Sequence, residues 1–288
     1  MLNDVLGHGG DFAWALRAAN DLLAGNDVYR HPVGNDLVSY PLPAAFVALP
    51  LVGFAPPVAG AIFFGASSML LAWCLLRDQH YWWLLVFLAW PYWYSLLFAQ
   101  WTALIVCVAF LSPLLFLLLV KPQITIPMLA LHPFSWWGIG LFFAVGLVSL
   151  AIYPTWPIVW LGQLSGYRGT IPPILSLPFG PFLLLALLRY RNRYVWMFLL
   201  LAMMPQRVVY DQLALLLVAR TRSELVALAA CSWLTLPAIL FFGGWPELPG
   251  GWQSWIIVTL YLPALVVLLR QKDQPQAAGS QTSAATSD

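Results

Sequence analysis

The sequence predicts an all-α fold, a polytopic bundle of transmembrane helices with re-entrant short helices and one interfacial helix near its start. The chain is 61% hydrophobic and 8% charged, with a mean hydropathy of +0.81, whereas soluble domains devote about a quarter of their residues to charge. Aromatic residues gather at the ends of apolar runs, as in "YWW" from 81, "WPYWY" from 90 and "SWW" from 135, where amphipathic rings favour the headgroup layer. Polarity is segregated: of 11 acids, Asp4, Asp11, Asp21, Asp27 and Asp36 all precede position 37.

Residues 1–43 read as an external loop. Within it Phe12, Leu16, Ala19, Leu22 and Leu23 recur at helical spacing and Gly25 is a natural stop, so a helix is expected from about Asp11 to Ala24, lying on the bilayer with its apolar side down. Residues 44–270 form the transmembrane bundle. A spanning helix needs roughly 20 apolar residues, and the runs 57–76, 81–98, 101–120, 136–153, 174–188, 224–243 and 254–269 meet or approach this. The segments 44–55, 122–131, 195–205 and 208–219 are too short to cross alone; Pro-broken pieces of this kind line cavities at membrane depth, where protein or water covers their backbone. The polar, small-residue tail 271–288 is expected to be a disordered cytoplasmic segment.

Basic residues set the expected orientation. If 57–76 runs inward, Arg77, Arg189, Arg191, Arg193, Arg220, Arg222, Arg270 and Lys272, eight of 13 basic residues, share the cytoplasmic side. The acid-rich opening then lies outside the cell, with the loop 154–173 and the stretch "GGWPELPGG". A net charge of +2, scattered along the chain, excludes a nucleic-acid surface, which needs a dense basic stripe. Cys74, Cys107 and Cys231 read as isolated core hydrophobes without metal-ligand or disulfide spacing. His8, His31, His80 and His132 show no ligand spacing either, so no metal site is expected. No n-region and h-region of a cleavable signal peptide open the chain.

Two readings of Asp11 stay open on the residues alone. It follows two glycines at the expected helix start, where Asp is a favoured N-cap, and it is equally placed for chemistry at the membrane surface. Lys121 and Arg207 each sit beside a Pro-containing break between short apolar segments, a costly depth for a charge without a task; for Arg207 the alternative is snorkelling to the interface. Arg168 in "LSGYRGT" is flanked by glycines and is either part of a closing loop or an ordinary exposed residue. Asp211 lies four residues beyond Arg207, on the same face if the helix has begun, as a structural ion pair or as a ligand contact.

The stretches "DFAWALRAANDLLAGNDVY" at 11–29, "SYPLPAAFVALPL" at 39–51, "LLFAQWTALIV" at 96–106, "KPQITIPMLAL" at 121–131 and "PQRVVYDQLALLL" at 205–217 resemble, in order, the landmarks of polytopic glycosyltransferases of the C superfamily. The nearest branch is glycosyltransferase family 87, the polyprenyl-phosphate-mannose-dependent mannosyltransferases. The resemblance implies a plasma-membrane enzyme that moves a hexose, mannose by analogy, from a polyprenyl-phosphate donor to an extracytoplasmic lipid or glycan acceptor, with inversion. It implies no cofactor and leaves divalent-cation use open. Asp11 matches the family's catalytic base, which takes a proton from the acceptor hydroxyl, with Asp36 as runner-up. Lys121, Arg207 and Arg168 become candidates to meet the donor phosphate. Asp211, Tyr40 beside the "YPLP" landmark and Gln100 of the family's Gly-Gln pair complete the expected substrate-binding set.

The chain departs from the pattern at four places: Ala99 stands for the glycine of Gly-Gln, no His follows Asp211 as in the family's Trp-Asp-His-like element, the distance from Gln100 to Lys121 is short, and the first transmembrane helix is missing. In-frame codons upstream of Met1 are therefore expected to encode about 20 apolar residues. The competing expectation is a non-enzymatic membrane protein, such as a transporter, flippase component or assembly subunit, or an inactive family member. A transporter more often shows paired repeats, and none is evident here.

Overall fold

The computed structural model describes residues 10–29, 40–77, 80–164, 171–205, 209–242 and 254–271. Among these, all regular structure is helical. Helix α1 (Phe12–Leu23) matches the periodicity of its apolar residues, with Phe12, Trp14, Ala15, Leu16, Ala18 and Ala19 buried. It packs on the short α2 (Pro43–Ala48) and on α3 (Pro56–Leu76). Its buried face belongs to one continuous core that runs from Phe12 to Leu268.

Beyond α3, proline divides the apolar runs. The run 81–98 becomes a tight 3-10 helix (Tyr81–Leu88) and α4 (Trp90–Leu97), joined by an extended Ala89 at ψ 144°. Pro91 has no N–H to carry the first helix onward. The run 101–120 divides into α5 (Thr102–Val106), a 3-10 turn (Cys107–Ala109) and a second 3-10 helix (Ser112–Leu119), with extended Leu111 ahead of Pro113. Neither run is one continuous helix: hydropathy counts apolar residues but is blind to a missing donor. Among the described residues, two helical stretches are long and apolar enough to cross a membrane, Pro56–Leu76 and Arg222–Phe241. A third results if α7 (Trp136–Ile152) and α8 (Trp156–Leu164), bent by 91° at the "YPT" between them, count as one.

Local chemistry fixes the other helix starts. Pro122 opens α6 (Pro122–Met128) at its first position, and Ser135 caps α7 by accepting from the Gly138 N–H at 3.1 Å. Gly138 lets α7 lie against Ser112–Leu119, because a Cβ there would fall 2.2 Å from the Ser112 carbonyl oxygen. After the 3-10 helix Gly180–Arg189 come α9 (Arg193–Met203), the 3-10 helix Val209–Val218, α10 (Arg222–Trp233) and α11 (Thr235–Phe242). Thr221 and Glu224 form a reciprocal capping box on α10. The run 254–269 is a π-turn (Ile257–Tyr261) followed by α12 (Leu262–Arg270), the wide turn adjoining Pro263.

Large apolar side chains remain exposed on α3, α7 and Gly180–Arg189, including Met69, Trp73, Trp136, Trp137, Leu147 and Leu188. Contiguous surface of this kind marks contact with a membrane or a partner. The tail 272–288 and the opening residues 1–9 lie outside the described residues.

Candidate functional site

Beneath the start of α1 the chain gathers five of the expected residues, Asp11, Tyr40, Gln100, Lys121 and Asp211. Asp11 occupies the N-cap position of α1 but its side chain makes no cap hydrogen bond. Its Oδ2 instead accepts from the Tyr40 hydroxyl at 3.1 Å, so capping is not what this carboxylate does. The backbone holds it: the Asp11 N–H donates to the Phe98 carbonyl at 2.9 Å. Gly10, at φ +59°, makes this approach, since a Cβ there would sit 2.1 Å from the same oxygen.

Phe98 and its successors form the C-terminus of α4. The Gln100 N–H donates to Ser95 and the Ala99 N–H to Leu96, the paired bonds of a Schellman motif. Its left-handed position is Ala99, at φ +43°, where glycine is the usual residue. An alanine thus stands in a conformation that usually takes glycine. The turn delivers Gln100 and Trp101, both fully buried, into the space below Asp11.

Lys121 arrives from the opposite side. A residue before proline is steered away from helical backbone, and Lys121 adopts φ −143°, ψ 75° ahead of Pro122. Its ammonium donates to Gln100 Oε1 at 3.2 Å and lies 3.5 Å from Asp211 Oδ1. Lys121 is 3% and Asp211 2% exposed, and the ammonium sits 5.7 and 5.4 Å from the Tyr40 and Tyr210 ring centres. Asp211 therefore pairs with a residue 90 positions away in sequence. Its partner among the described residues is Lys121; Arg207, expected to share a face with Asp211, lies outside them. Asp36 and Arg168 lie outside them as well.

Three polar atoms of the cluster are buried without a hydrogen-bond partner among the described residues: Asp211 Oδ2, Gln100 Nε2 and Trp101 Nε1. One is an acceptor and two are donors, each costing free energy while unmatched. Aromatic rings enclose them. Trp101 lies 5.9 Å from Tyr40 and 4.8 Å from Phe63 between centroids, and Phe63 stacks on Phe12 at 4.1 Å. Burial, reinforced by the nearby Asp11 carboxylate, Tyr210 and Asp211, pushes the Tyr40 phenol well above its ordinary pKa. Tyr40 is thus held as a neutral donor toward Asp11.

Trp101 and Tyr210 escaped the sequence reading; their only signal is adjacency to Gln100 and Asp211. A second latch joins the loop after α1 to the bend between α7 and α8: Asp27 Oδ1 accepts from the Tyr29 N–H at 3.0 Å and from the Tyr153 hydroxyl at 3.3 Å. Cys74 and Cys107 are buried free thiols, and the Cys107 thiol donates to the Ala103 carbonyl at 3.2 Å. Among the described residues no group of three or more His, Cys, Asp or Glu side chains is arranged to hold a metal ion. A surface concavity lined by Thr221, Arg222, Ser223, Val226, Ala227 and Ala230 shares no residue with the cluster. No family model, curated protein or solved structure matches this chain.

Proposed function

We propose that this chain is a polytopic membrane glycosyltransferase that moves a hexose, mannose on the sequence resemblance, from a polyprenyl-phosphate donor to a lipid or glycan acceptor. The observation that carries the reading is the Asp11 carboxylate, released from helix capping, paired with Tyr40 and set beside a buried polar cluster with unmatched donors and an unmatched acceptor. A sugar presents hydroxyls that donate and accept at once, which suits Asp211 Oδ2, Gln100 Nε2 and Trp101 Nε1. Aromatic walls suit its C–H faces.

In this reading Asp11 takes the proton of the acceptor hydroxyl as that oxygen bonds to the anomeric carbon. The bond from that carbon to the phosphate oxygen breaks with inversion, and the leaving polyprenyl phosphate keeps the electron pair. Lys121 directs two N–H groups at Gln100 and Asp211, so it has one left for a ligand, and its main task is to hold the cluster together. The phosphate then falls to Arg207 and Arg168. The site faces the extracytoplasmic side of the plasma membrane, with the short helices around Lys121 and Asp211 entering the bilayer without crossing it. No cofactor takes part, and divalent-cation use is read by adding a chelator to the transfer assay.

The buried Lys121–Asp211 pair favours a second reading, a carrier or flippase component, because such proteins keep paired charges among apolar helices. One experiment separates the two. Protein reconstituted with radiolabelled polyprenyl-phosphate mannose and mixed lipid and glycan acceptors should release a mannosylated product. Donor that crosses the bilayer chemically unchanged, with no product, would assign the second reading.

A further inference from the structure

Away from the cluster, the ends of four segments converge on a basic and aromatic corner. Arg189 closes the 3-10 helix Gly180–Arg189 and donates from Nη2 to the Leu269 carbonyl at the end of α12, at 3.1 Å. Asn192 Nδ2 donates to Gln271 Oε1 at 3.1 Å, and Gln271 Nε2 to the Val218 carbonyl at 2.6 Å. These bonds tie the turn 189–193 to α12 and to the helix Val209–Val218, so its side chains stand on a fixed frame. Arg191 lies 5.7 Å over the Tyr190 ring with its Nε 3.3 Å from the hydroxyl, and Arg193 lies 5.5 Å over Tyr194. The Trp196 indole donates to the Tyr190 carbonyl at 2.8 Å. A cleft of about 200 Å³ is lined by Leu188, Arg189, Tyr190 and Arg191.

The approach to this cleft is apolar. Phe182, Leu184, Leu185 and Leu187 are exposed along Gly180–Arg189, and Leu188, at the cleft itself, is 70% exposed. An exposed aliphatic ladder that ends in tyrosine, tryptophan and arginine has the polarity profile of half a bilayer: chains, interface, headgroup. We propose that the cleft seats one anionic phospholipid, its phosphate between Arg189 and Arg191 with Arg193 and Arg270 contributing charge, and its acyl chains along the exposed side chains. Arginine suits this role because its planar fork matches phosphate oxygens. The proposal uses no residue of the Asp11 cluster and is independent of the transferase reading.

The test is native mass spectrometry of detergent-solubilised protein with added phosphatidylglycerol or phosphatidylcholine. Phosphatidylglycerol should remain bound at least about tenfold more than phosphatidylcholine. Arg191→Gln/Arg193→Gln, which spares the Arg189 bond to α12, should reduce that preference by on the order of tenfold. Arg191→Lys/Arg193→Lys should retain most of it, showing that charge and not folding was lost. Equal retention of both lipids, an unchanged preference in the Gln variant, or complete displacement by millimolar inorganic phosphate, which would mark a free-phosphate site, would each overturn the proposal.

Discussion

The Tyr40 hydroxyl donates to Asp11 Oδ2 across 3.1 Å, joining the start of α1 to the segment that enters α2. The same ring lies 5.9 Å from Trp101 and 5.7 Å from the Lys121 ammonium, so one tyrosine couples the exposed edge of the cluster to its buried ion pair. Removing only the oxygen isolates that coupling. Tyr40→Phe should keep the packing and cost about 1–2 kcal/mol of stability, read by thermal unfolding in detergent; no change would mean that the bond is not held in solution.

The same residue gives a pH signature. Its phenol is held well above the ordinary value of 10.0, and the Tyr29 phenol is raised as well, mainly by burial. The unfolded chain releases these protons near pH 10 while the folded chain keeps them, so this stability is complete below about pH 10 and lost as pH rises further toward the folded values. The midpoint of unfolding should fall steeply above pH 10 in the wild type and less in Tyr40→Phe. Parallel curves from pH 8 to 11.5 would contradict the assignment.

Lys121 and Asp211 should behave as a unit. Lys121→Met leaves a carboxylate buried without its counter-charge, a loss of about 3–5 kcal/mol. Adding Asp211→Leu should recover much of it, since no charge then remains to be desolvated. A double-mutant cycle on unfolding free energies measures this coupling. Losses that simply add would show that the two side chains do not depend on each other.

Much of this arrangement was legible in the sequence, but not how it is joined. The spacing of Phe12, Leu16 and Ala19 gave α1 to within a residue at each end, because a helix that buries one face must repeat its apolar residues. Tyr40 and Gln100 entered only through the sequence resemblance, whereas Asp11, Lys121 and Asp211 could be singled out as charges beside prolines, glycines or apolar runs. Their association could not: Lys121 meets Asp211 across 90 residues, and no local periodicity encodes a contact of that range. Trp101 was hidden among 16 tryptophans, its indole N–H distinguished only by where Ala99 turns the chain. The division of 81–98 and 101–120 was foreshadowed by Pro91 and Pro113, yet hydropathy reads straight through both.

The turn at Ala99 makes its own prediction. A left-handed alanine costs about 1–2 kcal/mol, while glycine adds about 0.5–1 kcal/mol of unfolded-state entropy. Ala99→Gly should therefore stabilise by up to about 1 kcal/mol without moving Gln100. Gly10→Ala should do the reverse, forcing α1 off the Phe98 carbonyl, with a loss of about 2 kcal/mol or more. A lower unfolding temperature for Ala99→Gly would contradict the strained turn.

The most direct test concerns the Asp11 carboxylate itself. Turnover of polyprenyl-phosphate mannose by wild type and Asp11→Asn is compared with donor binding measured separately. Asparagine keeps the size of the side chain and can still accept from Tyr40, but it is too weak a base to take a proton. The account predicts unchanged donor binding with turnover lowered by about 100-fold or more. An Asp11→Asn protein that transfers sugar within about tenfold of the wild-type rate would remove Asp11 as the base and pass the role first to Asp36.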